Sequence, residues 1–423
     1  MFKKRWLLVF TALVLLVLFV PACGGGDEEP ISTPTTTPIV TATPTSTSTS
    51  IATPTAMPTA APTITPTSTG PVKLGGICPW SGAAAVSGTG MADPMIKLTE
   101  WQVKQEGGIL GGRDLKIVRY DNRGSVAEAV AGARKVMDDD KVSALLWGGV
   151  SGAESEAMAN FAEQNKILYV MYGAINNAEE RSFTLSATVS YRDLTIPIIN
   201  LVTKVLKPKT VGYLCTDLSD SRERVPIYKA GFEPAGTETV YEQYVTLGTA
   251  DLSSYLTQMK YKNPDLLIID SGNNEFLMTI AQQVMELGGW GNTKVITLAP
   301  GEFARSRAGA QGWYVTAMWA KGLTHPGALK FENDFKAAVG GTPMATQVYY
   351  YNAIWTAIEA IKLAGTDTDR EKIANLARFS GKLEWETPMG RAHYTAESLG
   401  YPQLTPTMCQ IIDKVMTRVE IPE

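Results

Sequence analysis

The amino-acid sequence predicts an α/β protein made of two Rossmann-like, doubly wound lobes joined by a hinge of several chain crossings. Three observations carry this. From Pro71 to Glu423 the composition is globular over roughly 350 residues, more than one core holds comfortably. Within that stretch, strand-like apolar runs alternate with helical patterns, as βαβ units on parallel sheets do. The alternation then begins a second time.

The first set opens with a strand at Val72–Ile77 and a helix at Ala92–Gln105, whose Met95, Ile96, Leu98, Trp101 and Val103 form its apolar positions. Next come a strand over Leu115–Tyr120, a helix over Ser125–Met137, a strand over Val142–Trp147, a helix over Glu154–Gln164 and a strand over Ile167–Met171. The second set has helices at Leu194–Leu206, Arg222–Gly231, Leu252–Met259 and Glu275–Leu287. Its strands are Thr210–Leu214, Thr239–Tyr244, Leu266–Ile269 and Lys294–Leu298. A further strand, Trp313–Ala317, leads to helices at Gly327–Val339 and Gln347–Leu363. This return implies discontinuous lobes: 71–189 plus 318–388, and 190–317 plus 389–423. Each would present the carboxyl ends of its strands to a shared crevice, where ligands of such sheets bind.

The N-terminus points outside the cytoplasm. Lys3, Lys4 and Arg5 precede a largely apolar run, Trp6–Val20, of about 15 residues, short of the roughly 20 that a membrane span needs. It reads as a signal peptide over 1–22. Val20-Pro21-Ala22-Cys23 resembles a bacterial lipobox, which implies that Cys23 carries the lipid anchor. Ordinary cleavage after Ala22 and a retained single span are the alternatives. Residues 23–70 are rich in Thr, Pro, Ser and Ala and have no amphipathic period, so they read as a disordered stalk.

Basic and acidic residues nearly balance, 38 against 42, and no basic stripe suggests a nucleic-acid partner. Cys78, Cys215 and Cys409 each sit in an apolar run without metal-ligand spacing and read as buried small hydrophobes. Whether any of them pairs stays open at this point.

Gly107-Gly108-Ile109-Leu110-Gly111-Gly112-Arg113, continuing into Leu115–Asp121, together with Trp80-Ser81-Gly82 and Glu386-Thr387-Pro388-Met389-Gly390, resembles the type I periplasmic binding proteins. The likeness is to their branched-chain amino acid and amide branch, and it spans about 71 to 420. It implies a three-segment hinge that closes on a small ligand, and delivery to the permease subunits of an ABC transporter by a monomeric, membrane-anchored protein without cofactor or metal.

Ligand-binding candidates follow the strands, because helix N-termini there expose unpaired N–H groups. In the first lobe they are Trp80, Ser81 and Ser87; Ser151, Gly152 and Ala153; and Tyr172, Gly173 and Ala174. Tyr191 follows the first crossing. Asp217, Ser221, Gly272, Asn273 and Glu302 belong to the second lobe. Amino-acid binders of the family carry adjacent hydroxyl residues where this chain has Gly152, Ala153 and Glu154, and a Thr where it has Ile175; both departures weaken the case for an α-amino acid. A Glu near position 302 faces the ligand ammonium in those relatives. Trp147 and the run Tyr349-Tyr350-Tyr351 are expected in packing roles.

Neither His325 nor His393 sits in a triad context, and no Gly-x-Ser-x-Gly, His-Glu-x-x-His or Cys-x-x-Cys motif occurs, so the expectation is a binder and not an enzyme. A ligand-sensing accessory ectodomain and, less so, a hydrolase with an unrecognised carboxylate site are the alternatives.

Overall fold

A computed structural model describes residues 69–422 apart from 149–151, 174 and 176. The expected signal peptide, Cys23 and the stalk up to position 68 lie outside the described residues.

The chain begins with β1 (Val72–Cys78), α1 (Asp93–Gln105), β2 (Leu115–Asp121), α2 (Val126–Asp138), β3 (Ala144–Trp147), α3 (Gly152–Asn165), β4 (Leu168–Met171) and β5 (Thr184–Ser186). The five strands form one sheet in the order β2-β1-β3-β4-β5, and all neighbours run parallel. β3 and β4 are buried along their whole length. That is why Ala144-Leu145-Leu146-Trp147 and Leu168-Tyr169-Val170-Met171 show no polar alternation: helices cover both faces of a parallel sheet.

The second set is α4 (Tyr191–Asn200), β6 (Thr210–Thr216), α5 (Ser219–Phe232), β7 (Glu238–Val245), α6 (Ser253–Lys262), β8 (Leu266–Asp270), α7 (Asn274–Glu286), β9 (Lys294–Thr297) and β10 (Tyr314–Ala317). Then follow α8 (Pro326–Ala338), α9 (Gln347–Ala364), α10 (Arg370–Phe379), the hairpin strands β11 (Leu383–Thr387) and β12 (Gly390–Tyr394), and finally β13 (Thr407–Ile412) and β14 (Val415–Val419). The second sheet runs β14-β13-β10-β9-β8-β6-β7. Its β6 to β10 part is parallel, while β13 pairs antiparallel with β10 and with β14. Period-two alternation divides its side chains between two apolar layers. Leu214, Leu267 and Ile269 join one layer; Tyr213, Cys215, Leu266 and Ile268 join the other.

The first sheet's core takes residues up to Val189, then Met318 and Trp319, much of α8 to α10, and finally Ala392 and Tyr394 of β12. The chain therefore passes three times between the two sheets: after Val189, around Ala317, and between Tyr394 and Thr407. Cys78, Cys215 and Cys409 are buried and without disulfide partners. Among the described residues no helix is long and apolar enough to cross a membrane.

Candidate functional site

Both parallel sheets share one topological feature. In the first, β2 and β3 flank β1; in the second, β7 and β8 flank β6. Each sheet thus reverses its winding beside its first strand, and the carboxyl ends at that switch point leave a crevice for ligands. Some of the expected site residues follow the strands at these two places: Trp80 and Ser81 after β1, Asp217 and Ser221 after β6, and Gly272 and Asn273 after β8.

At the first switch point, Asp121 at the end of β2 organises the loop leaving β1. Its carboxylate accepts from the Trp80 backbone N–H at 2.9 Å, the Ser81 N–H at 3.3 Å, the Ser81 hydroxyl at 2.6 Å and the Arg123 N–H at 3.0 Å. Burial alone would raise this carboxyl; the donors from Ser81, Trp80 and Arg123 outweigh it and hold the group below its usual value. Ser81 is therefore committed to the loop. Trp80 also donates from its indole to Asp93 at 2.8 Å and lies under the Arg119 guanidinium.

β3 ends in an unusual backbone. Trp147 has φ +71°, a left-handed conformation that is a genuine outlier for a bulky residue and concentrates at functional sites. Gly148 follows at φ +83°, where an added Cβ would lie 2.1 Å from the Tyr169 hydroxyl. Tyr169 in turn donates to the Trp147 carbonyl at 2.8 Å, so the turn is locked from below. Around Trp147 an aromatic series forms. Its ring is 6.4 Å from Trp80 and 5.5 Å from Tyr350, and Tyr350 stacks on Tyr172 at 5.4 Å and 11°. Trp147 and Tyr350 are buried, in line with packing, whereas Trp80, Tyr172 and Tyr349 keep partial exposure. Ser87 is half-buried nearby, and its hydroxyl contacts the Tyr350 phenol.

Gly152 and Ala153 are exposed at the start of α3. Glu154, in contrast, turns inward and accepts from Asn122 at 2.9 Å. Ser151 and Ala174 lie outside the described residues. The Gly173 carbonyl accepts from Ser186 at 2.6 Å, and the backbone N–H and C=O of Ile175 both bond the Tyr401 hydroxyl. This ties the loop after β4 to the third passage of the chain.

The second switch point is ionic. Arg224, one turn into α5 and 2% exposed, grips Asp270 at the end of β8: Nε lies 2.9 Å from Oδ2 and Nη2 lies 2.7 Å from Oδ1. Nη2 also reaches Asp220 at 2.8 Å, and Tyr228 donates to Asp270 at 3.0 Å. Burial acts to lower the guanidinium, but Asp270 and Asp220 more than compensate and keep it charged. Its planar face covers the Tyr191 ring at 4.9 Å. Neither Arg224 nor Asp270 stood out in the sequence, because the pair joins residues 46 positions apart. An Asp closing an apolar strand, Leu266-Leu267-Ile268-Ile269-Asp270, was the available signal.

Several expected residues have other partners here. Ser221 is fully buried and donates to the Asp270 carbonyl at 3.0 Å. Asp217 is exposed and pairs with Arg222 at 2.7 Å. Asn273 caps α7 by accepting from the Phe276 N–H at 2.8 Å, and the neighbouring Gly272 is exposed. Glu302 is 4% exposed; it pairs with Arg305 at 2.9 Å and accepts from the Thr346 N–H at 3.3 Å at the start of α9. Burial raises its carboxyl, with Arg305 and Thr346 opposing.

Tyr191, at the start of α4, lies against Arg224 of the second switch point. Tyr172 lies within electrostatic reach of Tyr191, and Tyr349 within reach of Arg224 and Glu302. Burial drives all three phenols upward, although each ring keeps some exposure. Two open depressions elsewhere on the first lobe are surface features. One runs along Lys116–Arg119 beside Lys73, the other between Arg113, Lys141 and Arg370.

A family model described as "Periplasmic binding protein" matches residues 71–400. No curated protein matches the chain. Among solved structures, a leucine-binding protein from Thermotoga maritima is 23% identical, with a TM-score of 0.71 over 82% of this chain and 98% of its own. A branched-chain amino acid transporter substrate-binding protein from Streptococcus pneumoniae, solved with isoleucine, is 19% identical, with a TM-score of 0.71 over 82% of this chain and 99% of its own. A solute-binding protein of an ABC transporter from Rhodopseudomonas palustris, solved with benzoate, is 18% identical, with a TM-score of 0.70 over 83% of this chain and 96% of its own. Two α/β sheets of mostly parallel strands agree with the fold of these structures, and the chain belongs to the periplasmic binding protein family, in its type I fold.

Proposed function

We propose that this protein is the extracytoplasmic solute-binding lipoprotein of an ABC importer, anchored through Cys23 and carried on the 23–70 stalk. It binds a small ligand between the lobes and hands it to the permease subunits on hinge closure. What supports this best is that both sheets carry a switch point at the carboxyl ends of their strands, one lined by aromatic rings and the other by an ionic cluster. Nothing in that arrangement resembles a nucleophile–base pair. Tyr191, Tyr172 and Tyr349 offer ring faces and phenol hydroxyls, while Ser81, Ser221, Asn273 and Glu302 already have partners within the protein. This favours a ligand with a planar or apolar body over one held mainly by side-chain hydroxyls. The relatives' ligands, isoleucine and benzoate, bracket the range: amino acids, amides and small carboxylates.

The test is a thermal-shift screen of the folded part against these classes. A ligand at 100 times its Kd stabilises the fold by about 2.7 kcal/mol. Uptake of the same compound must fall when the gene is deleted. Binding without any uptake defect favours an accessory sensor instead, and turnover of the compound would show an enzyme.

A further inference from the structure

The buried guanidinium of Arg224 carries more than an internal ion pair needs. Its Nε and Nη2 are fully engaged by Asp270 and Asp220, yet Nη1 has no partner among the described residues. Nη1 also does not belong to the group of fully enclosed, unsatisfied atoms, so part of the small exposure of this residue falls on it. A guanidinium has five donors in a rigid fork; with Nε and Nη2 turned toward the two aspartates, Nη1 points the other way. The guanidinium carbon sits at the carboxyl edge of the second sheet, 4.9 Å from the centroid of the Tyr191 ring, and its charge acts on Tyr349.

We infer that Arg224 Nη1, with the Tyr191 and Tyr349 hydroxyls, forms a ligand subsite on the second lobe that selects an uncharged acceptor oxygen, a carbonyl or hydroxyl, over a carboxylate. The selectivity follows from the local charge. One guanidinium faces two carboxylates, Asp270 at 2.7 Å and Asp220 at 2.8 Å, so the cluster is net negative and repels a full anion while its N–H groups still donate. Asp270 is inaccessible and fixes the fork; Asp220, partly exposed, sets the sign of the field at the cleft. A buried donor left without an acceptor penalises ligands that lack the group.

This rests on the solute-binding reading, and the experiment separates the two. Binding would be measured by calorimetry for matched pairs differing only in a distal group, glutamine against glutamate and 4-carbamoylbenzoate against terephthalate, with leucine, isoleucine and benzoate beside them. In the wild type the neutral member of at least one pair binds more tightly, by about tenfold or more. Asp220→Asn, which removes one charge and leaves the Asp270 pair intact, shrinks that preference by about tenfold. Equal binding of both members, a ratio unmoved in Asp220→Asn, or binding of leucine, isoleucine or benzoate with no response to either pair overturns the subsite and leaves the binder standing. Silence from every probe in protein shown to be folded overturns both.

Discussion

The two lobes reach the same topology with opposite materials. At its switch point the first lobe places Trp80, Trp147, Tyr350 and Tyr172 in a continuous ring series. The second places Arg224, Asp270 and Asp220. Aromatic faces supply area and shape without much direction, whereas ion pairs and their donors supply direction and sign. A cleft built from one wall of each kind can hold the body of a ligand on the first lobe and read its polar end on the second. The aromatic wall continues into the core through Tyr350 and Trp147, so it is rigid by packing. The ionic wall is rigid only while its charges stay matched.

That contrast can be broken most sharply at Asp270. Replacing it with Ala leaves Arg224 buried and underpaired, and the fold should lose about 3–5 kcal/mol in urea titration. A loss below 1 kcal/mol would show that the pair is solvated and the second wall soft. Next in size is Asp121→Ala, which removes the acceptor for four donors of the first-lobe loop; because the site is near the surface, about 1–2 kcal/mol is expected. Its carboxyl is held below the usual value in the folded state, so it stabilises above its unfolded pKa and loses that contribution as pH falls. Wild type and Asp121→Asn should therefore begin to converge in stability only as pH falls below the unfolded value of 3.8, and meet once the lowered folded value is passed.

Tyr172→Ala should cost about 1 kcal/mol or less of stability, since the ring is partly exposed, yet weaken ligand binding by about tenfold. Equal effects on both would make it a core residue and not a wall. The smallest effect is expected at Glu302. Burial raises its folded pKa above the ordinary 4.5, so the folded state binds the proton more tightly and stability declines as pH rises past that value. Glu302→Gln should flatten this decline and gain about 1 kcal/mol or less at pH 7, read from melting temperatures between pH 4 and 8. A loss at pH 7 would mean that the Arg305 pair outweighs burial.

The fold was legible in the sequence because its signals are local. The continuous apolar runs of β3, β4 and β8 mark buried parallel strands, and Asn273 and Ser190 cap helices where such residues ordinarily do. The antiparallel additions β13 and β14 were not foreseen. Their side chains belong to a sheet whose other strands end at Ala317, and no local pattern announces so distant a partner. The first-lobe loops were located by following each strand to its end. The fate of their hydroxyls was not, since Ser81 meets Asp121 across 40 positions and Ser221 meets Asp270 across 49.

The sequence by itself determined two doubly wound lobes, their order, the loops at their carboxyl ends and the burial of three cysteines, because hydrophobic periodicity and chain direction suffice for these. Only the tertiary structure decided which polar groups remain available. Hydrogen bonds and ion pairs are made between whichever groups the folded chain brings within about 3 Å, and no spacing along the chain encodes that distance. Ser221 and Asn273 were thereby drawn into the scaffold, and Arg224 was locked onto Asp270 and Asp220.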